Sequence, residues 1–339
     1  MGSQDRMVMM RGAWTKTPDT VDFTEAKGGG TMKIVVSGGT GFIGRALVAE
    51  LCGAGHQVVV LTRKPGSPSF PNEQRVEWNA RSAGPWRQHL RDAQAVVNLA
   101  GEPIAEKRWT SARKRQLLDS RLSATRCLVD GLMAEATRPP VLISASGIGY
   151  YGVGGARALG EEAPLGQGFL ADLSARWEAE AQRVAQAGAR VVFLRIGMVL
   201  ERDGGALAKM LLPFRLYAGG PVLPGTQWVS WIHRQDLIGL ILWGLATPSV
   251  AGPVNAVAPE AVTMKTFCEV LGRVLHRPSW LPVPEFALKV ALGELGTLLT
   301  TGQRVEPTKA QAGGYRFVYP TLEAALQAIV HEPSRTEAA

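Results

Sequence analysis

From Met32 onward, short runs of β-branched residues alternate with longer stretches in which apolar positions recur every three or four residues. The runs at 33–37 (KIVVS), 57–61 (QVVVL), 75–78, 95–99 (AVVNL), 141–145 (VLISA) and 190–196 (RVVFLRI) read as six strands. Their near-continuous apolarity predicts burial on both faces. Between them, 42–51, 110–136 and 169–187 carry helical spacing, and Gly188 stands where a helix C-cap would. This alternation predicts an α/β fold built on a doubly wound parallel sheet.

After Arg195 the rhythm loosens. A glycine-rich stretch (ERDGGALAKM) leads to GTQWVSWIHRQDL and a helical pattern at about 235–246. Further helical patterns follow at 264–275, 284–292 and 321–330, the last after the strand-like YRFVYP. The expected organisation is a flexible extension (1–31), a nucleotide-binding domain (32–200) and a smaller C-terminal lobe (201–339) that completes a substrate pocket. The extension carries no apolar run of signal-peptide type and ends in a triple glycine.

The glycines turn the fold class into a site. Gly38, Gly41 and Gly44 form GxxGxxG directly after a strand and at the opening of a helix, as in a Rossmann nucleotide fold. Glycine lets the backbone turn tightly beside a pyrophosphate, and the helix N-terminus offers N–H donors and positive dipole. Cofactor choice is read at the end of the second strand, where an Asp or Glu would hold the ribose 2′-hydroxyl of NAD. The sequence there is Leu61-Thr62-Arg63-Lys64. Arg63 can give a forked pair to a 2′-phosphate and Thr62 can add a hydroxyl, so NADP(H) is the expected cofactor.

Composition and charge narrow the alternatives. The chain has 339 residues, 46% hydrophobic and 19% charged, enough for one large core or two smaller ones. Cys52, Cys127 and Cys268 lie far apart without CxxC spacing, arguing against disulfides or structural zinc and for a reducing cytoplasm. The apolar stretch 237–246 is too short to span a membrane. Of the net charge of +8, a net +4 lies in EKRWTSARKRQLLDSR at 106–121. No zinc-finger, basic-zipper or RNA-binding pattern accompanies it, so nucleic acid is not the expected partner. The five histidines make no HxH or HxxxH pattern, and there is no GxSxG elbow, which leaves nucleotide chemistry.

SGGTGFIG, VVNLAGEPIAEKRW, DSR, SASGIGYYG, WEAEA, GGALAKMLLPFRL, QWVSWIH and GPVNAVAP occur in this order from Met32 to about Val330. Together they resemble the atypical extended short-chain dehydrogenase/reductases of the SDR39U and YfcH epimerase type, with a DUF1731-like C-terminal region. The resemblance implies a Rossmann domain, a small C-terminal domain and NADP(H); some plant and cyanobacterial members are linked to cell or plastid division. By matching motif it implies cofactor contacts from Gly38, Gly39, Thr40, Gly41, Phe42 and Ile43, from Thr62 and Arg63, and from Leu99 and Ala100. It adds Gln116 and Arg121 on the basic helix, with Val199 near the nicotinamide.

The wider superfamily uses a YxxxK pair, in which tyrosine transfers the proton and lysine holds the ribose. Four positions after Tyr150, Tyr151, Tyr217, Tyr315 and Tyr319 stand Gly154, Gly155, Pro221, Tyr319 and Glu323, so the motif is absent. Aligned on WEAEA, the pair would fall on Leu170 and Ser174. The candidate substitutes are Ser146, Tyr150, Tyr151 and His233, each of which also has a purely structural reading. Two functions stay open: an oxidoreductase or epimerase-like enzyme acting on an unidentified small molecule, and a catalytically silent NADP(H) sensor or scaffold with a protein partner, tied to cell division.

Overall fold

The computed structural model describes residues 30–331 apart from 285, 287–289 and 291–292. Most of the predicted 284–292 helix, and the extension up to residue 29, lie outside the described residues. Seven parallel strands form one sheet: β1 (Lys33–Ser37), β2 (Gln57–Thr62), β3 (Glu73–Glu77), β4 (Ala95–Asn98), β5 (Val141–Gly147), β7 (Arg190–Ile196) and β11 (Gly252–Ala256). The spatial order is β11-β7-β5-β4-β1-β2-β3.

Strict alternation splits each central strand between two cores. Ile34 and Val36, Val58 and Val60, Ala95 and Val97, and Val192 and Leu194 face one side, against α1 (Gly44–Gly53) and α5 (Arg234–Ala246). Val35, Val59, Val96, Leu142 and Phe193 face the other, against α2 (Ser111–Glu135) and the turn that follows α3 (Phe169–Gln182). Each such Val or Leu contributes roughly 1.5–3 kcal/mol by burial, which is why these runs contain almost no polar residue. After α3 the chain continues as a 3-10 turn to Ala187, and Gly188 ends it in the left-handed region at φ 79°.

Two predicted features change. The seventh strand, β11, comes from beyond residue 200; its Pro253 lacks an N–H to donate, which suits the edge of the sheet it occupies. The strand-like YRFVYP is irregular instead. Two of its backbone donors go to a side chain, the Asp236 carboxylate accepting from Val318 N at 2.7 Å and Tyr319 N at 2.9 Å. Burial pushes the Asp236 carboxyl above the usual carboxylate range, against the pull of these bonds.

The remaining strands are short pairs: β6 (Gly155–Leu159) with β13 (Gln303–Val305), β8 (Met198–Leu200) with β10 (Trp231–His233), and β9 (Trp228–Val229) with β12 (Val262–Thr263). A separate apolar cluster joins α4 (Gly205–Arg215), α6 (Met264–Leu275) and the helix Leu322–His331 through Leu207, Phe214, Phe267, Leu271 and Leu326. No helix among the described residues is long and apolar enough to cross a membrane.

Candidate cofactor cleft

The chain runs outward from β1 to β2 and β3, then returns to place β4 on the other side of β1. The crevice beyond the C-terminal ends of β1 and β4 is thus the topological switch point, where open α/β sheets take their ligands. The glycine turn stands there. Gly38 has φ 73°, and a Cβ on it would lie 2.7 Å from the Leu99 carbonyl oxygen, so the turn rests on the tail of β4. A Cβ at Gly44 would come within 2.2 Å of the Gly38 oxygen, which fixes glycine where α1 meets β1. The first turn of α1 has neither a side-chain cap at Ile43 nor an acidic residue, so its positive end is left for an anion.

A buried polar chain holds Leu99 and Ala100 under this turn. Ser37 Oγ donates to Asn98 Oδ1 at 2.7 Å, Asn98 Nδ2 donates to Thr125 Oγ1 at 2.9 Å, and Trp177 Nε1 donates to the same hydroxyl at 2.8 Å. Asn98 therefore ties β1, β4, α2 and α3 together. Sequence reading passed over it as one polar residue in an apolar strand.

Thr62 and Arg63 leave the sheet beside the turn, since Ser37 pairs with Leu61. Arg63 is exposed, and its guanidinium makes no hydrogen bond or ion pair among the described residues. On α2, Gln116 is exposed and accepts from Arg113 Nη1 at 2.8 Å. Arg121 is only 6% exposed; it lies against Gly101 and 5.1 Å from the Trp177 ring. Its Nη1 donates to the Leu117 carbonyl at 3.2 Å, while its Nε is buried without a partner. Burial, aided by nearby Arg113, lowers its pKa to about 10. A buried guanidinium with no carboxylate of its own fits an anionic ligand in this crevice. Val199, on β8, is half-buried, and its carbonyl lies against Gly205.

Of the four proposed catalytic side chains, Ser146, Tyr150 and Tyr151 gather around the Glu178–Arg195 pair. Ser146, at the end of β5, donates to Glu178 Oε1 at 2.7 Å, and Glu178 takes Arg195 through Nε and Nη2, both at 2.9 Å. Arg195 Nη1 donates to the Tyr151 hydroxyl at 3.0 Å, which donates to Asn255 Oδ1 at 2.6 Å. Asn255 N in turn donates to Glu161 Oε1 at 3.0 Å. Burial works against the charge on Arg195, but the Glu178 carboxylate outweighs it and holds the guanidinium charged well above the ordinary arginine range. Burial also raises the Tyr151 phenol.

Tyr150 packs against Tyr151, ring centroids 5.5 Å apart. It is half-buried, Arg195 Cζ lies 3.5 Å from its ring centroid, and its hydroxyl makes no hydrogen bond among the described residues. His233 is buried as the N-cap of α5, with Nδ1 accepting from Gln235 N at 3.1 Å and its ring 4.0 Å from that of Tyr319. Leu170 and Ser174 face the turn after β5: a Cβ at Gly149 would meet Leu170 Cβ at 2.8 Å, and one at Gly147 would lie 3.9 Å from Ser174 Oγ. Glu178, Arg195 and Asn255 escaped sequence reading, although WEAEA, RIGM and GPVNAV contain them. Among the described residues no cluster of His, Cys, Asp and Glu could hold a metal.

Residues 34–257 match the NAD dependent epimerase/dehydratase family. The chain belongs to that family. Residues 283–329 match a domain of unknown function, DUF1731. The chain is 43% identical over 304 residues to the chloroplastic epimerase family protein SDR39U1 homolog of Arabidopsis thaliana, covering 88% of this chain and 87% of the relative. It is 39% identical to epimerase family protein YfhF of Bacillus subtilis, covering 88% and 98%. The crystal structure of human epimerase family protein SDR39U1 with NADPH superposes with a TM-score of 0.81 at 37% identity, covering 89% of this chain and all of that one. The fold is therefore the Rossmann type of this family, with a nicotinamide cofactor as its group.

Proposed function

We propose that this protein binds NADP(H) and uses it as an oxidoreductase or epimerase-like enzyme on a small-molecule substrate. The observation that carries the reading is Arg63, an uncommitted guanidinium at the end of β2 where an NAD-specific site would carry an acid. The human relative solved with NADPH supports the same choice. The turn from Gly38 to Ile43 (Gly38, Gly39, Thr40, Gly41, Phe42, Ile43) and the N-terminus of α1 would hold the pyrophosphate, and Thr62 with Arg63 the 2′-phosphate. Leu99, Ala100 and Gln116 would flank the adenosine, Arg121 would face a phosphate, and Val199 would close the nicotinamide end, the lobe after residue 200 completing the substrate pocket. When bound, the cofactor supplies the hydride; the chain must supply or take the proton.

Tyr150 is the candidate we favour for that proton. Ser146 and Tyr151 already donate inward, and His233 caps a helix. A positioned acid contributes about 10²–10⁴-fold, so NADPH oxidation over a panel of carbonyl compounds should fall by that factor in Tyr150→Phe while calorimetric NADPH affinity holds. Turnover that survives the substitution would reject Tyr150. A second reading, a silent NADP(H) sensor or scaffold linked to cell division, draws support from Leu170 and Ser174 standing at the superfamily's tyrosine and lysine positions. Tight NADPH binding without oxidation by any panel compound or cell extract would favour it.

A further inference from the structure

Arg63 is not alone at its edge of the sheet. Strands β2 and β3 run side by side with Thr62 opposite Glu77, and Trp78 N donates to Thr62 O at 2.9 Å, so Arg63 and Trp78 leave the sheet side by side and Asn79 follows. The chain then turns sharply. Ala80 takes φ 61°, a left-handed conformation uncommon for a residue with a Cβ. Asn79 Oδ1 accepts from Arg81 N at 2.9 Å and Ser82 N at 3.0 Å, and Asn79 Nδ2 donates to Ser82 Oγ at 2.7 Å.

This turn sets Arg81 at the wall of a depression of about 330 Å³, facing the N-terminal half of α2. Arg115, Gln116, Asp119, Ser120 and Glu102 line the rest. Neither Arg81 nor Arg115 makes a side-chain hydrogen bond or ion pair among the described residues. Of the two carboxylates, Glu102 already accepts from Arg113 Nη1 at 3.2 Å. In the depression Arg81 and Arg115 thus face a single uncommitted carboxylate, Asp119, while Arg63 and Lys64 follow the end of β2 on the neighbouring strand. A phosphate monoester carries roughly −1.5 to −2 at neutral pH, more than one guanidinium balances.

We propose that Arg81, with Arg115 across the depression, is a second recognition residue for the 2′-phosphate of NADP(H), sharing it with Arg63. This rests on the NADP(H) reading above and adds what sets the strength of that preference. The 2′-phosphate is the only group that separates NADPH from NADH, so a residue that reads it changes one affinity and not the other.

The test is calorimetric titration of the full chain with NADPH, NADH and adenosine 2′-monophosphate, using Arg63→Ala, Arg81→Ala and Arg81→Lys. Losing one charge-assisted pair should weaken NADPH and adenosine 2′-monophosphate by about tenfold in Arg81→Ala and leave NADH unchanged. Arg81→Lys should fall between, because an ammonium keeps the charge without the fork. Arg81 is exposed, so the variants should melt with the parent. Equal weakening of NADPH and NADH would assign Arg81 to holding its turn and overturn the proposal. So would an unchanged NADPH-to-NADH ratio in both Arg81 variants while Arg63→Ala collapses it; the cofactor reading would then stand. A parent protein that does not distinguish NADPH from NADH overturns both.

Discussion

Replacing Glu178 by Gln tests whether the buried ion pair holds the substrate end of the sheet. Glu178 is 9% exposed and Arg195 3%, and their double hydrogen bond at 2.9 Å joins α3 to the end of β7. Glutamine keeps the shape but leaves the Arg195 charge buried with one neutral acceptor in place of a carboxylate. Breaking such a pair from one side costs about 3–5 kcal/mol, several times the roughly 0–1 kcal/mol of an exposed pair. For a chain of this size each kcal/mol moves the melting temperature by roughly 2 °C, so Glu178→Gln should melt about 6–10 °C lower. Urea unfolding gives the free energy and scanning calorimetry the temperature. Adding Arg195→Gln should recover part of the loss, because it removes the stranded charge. A single-variant cost under about 1 kcal/mol, or a double variant no better than the sum of its parts, would refute the view that this charge is sealed from water.

Gly44→Ala should cost about 1–3 kcal/mol in urea unfolding and weaken NADPH in calorimetry, since its Cβ would fall 2.2 Å from a backbone oxygen that cannot yield without opening the cradle. The thiols give a pH dependence: burial pushes Cys52 up to about 11 and Cys268 up to about 12, whereas unfolded thiols ionise near 8.5. A raised folded pKa contributes stability that is complete below the unfolded value and is lost as pH rises toward the folded one. Unfolding free energy should therefore decline between about pH 8.5 and 11, by about 1–2 kcal/mol per thiol at pH 10, and more shallowly in Cys268→Ala.

The central sheet was readable because a strand buried on both faces tolerates almost only Val, Ile, Leu and Ala, and that demand repeats in all the inner strands. β11 was not, because GPVNA carries a proline and an asparagine: the proline suits an edge, and the Asn255 side chain is spent on the Tyr151 hydroxyl and the Glu306 carbonyl. The paired strands β8, β9, β10 and β12 hold two or three residues each, too few for a period to show. In YRFVYP the alternation is real, but two of its backbone donors are claimed by Asp236, some 80 residues earlier, and only the folded chain brings that carboxylate near. The site divides in the same way. Gly38, Gly44 and Arg63 stand out because local backbone and charge needs dictate their type, whereas Asn98, Glu178 and Arg195 are polar residues inside apolar elements whose partners are distant in sequence.

Leu170 and Ser174, at the positions that the WEAEA alignment gives the tyrosine and lysine, lie against the turn after β5. Leu170 Cβ stands 2.8 Å from where a Cβ on Gly149 would be, so α3 is drawn against the turn after β5 at this point. Ser174 is 3% exposed, and a lysine there would bring a second cation into a region where Glu178, one helical turn away, is already bound to Arg195 and Ser146. The Glu178–Arg195 pair thus lies one helical turn from the position that the WEAEA alignment gives the lysine. Beside that arrangement lies the Tyr150 ring, its centroid 3.5 Å from the Cζ of a guanidinium that cannot move without unbinding Glu178 and Tyr151. Under the reading proposed above, proton transfer is organised around that ring rather than around a tyrosine on the helix.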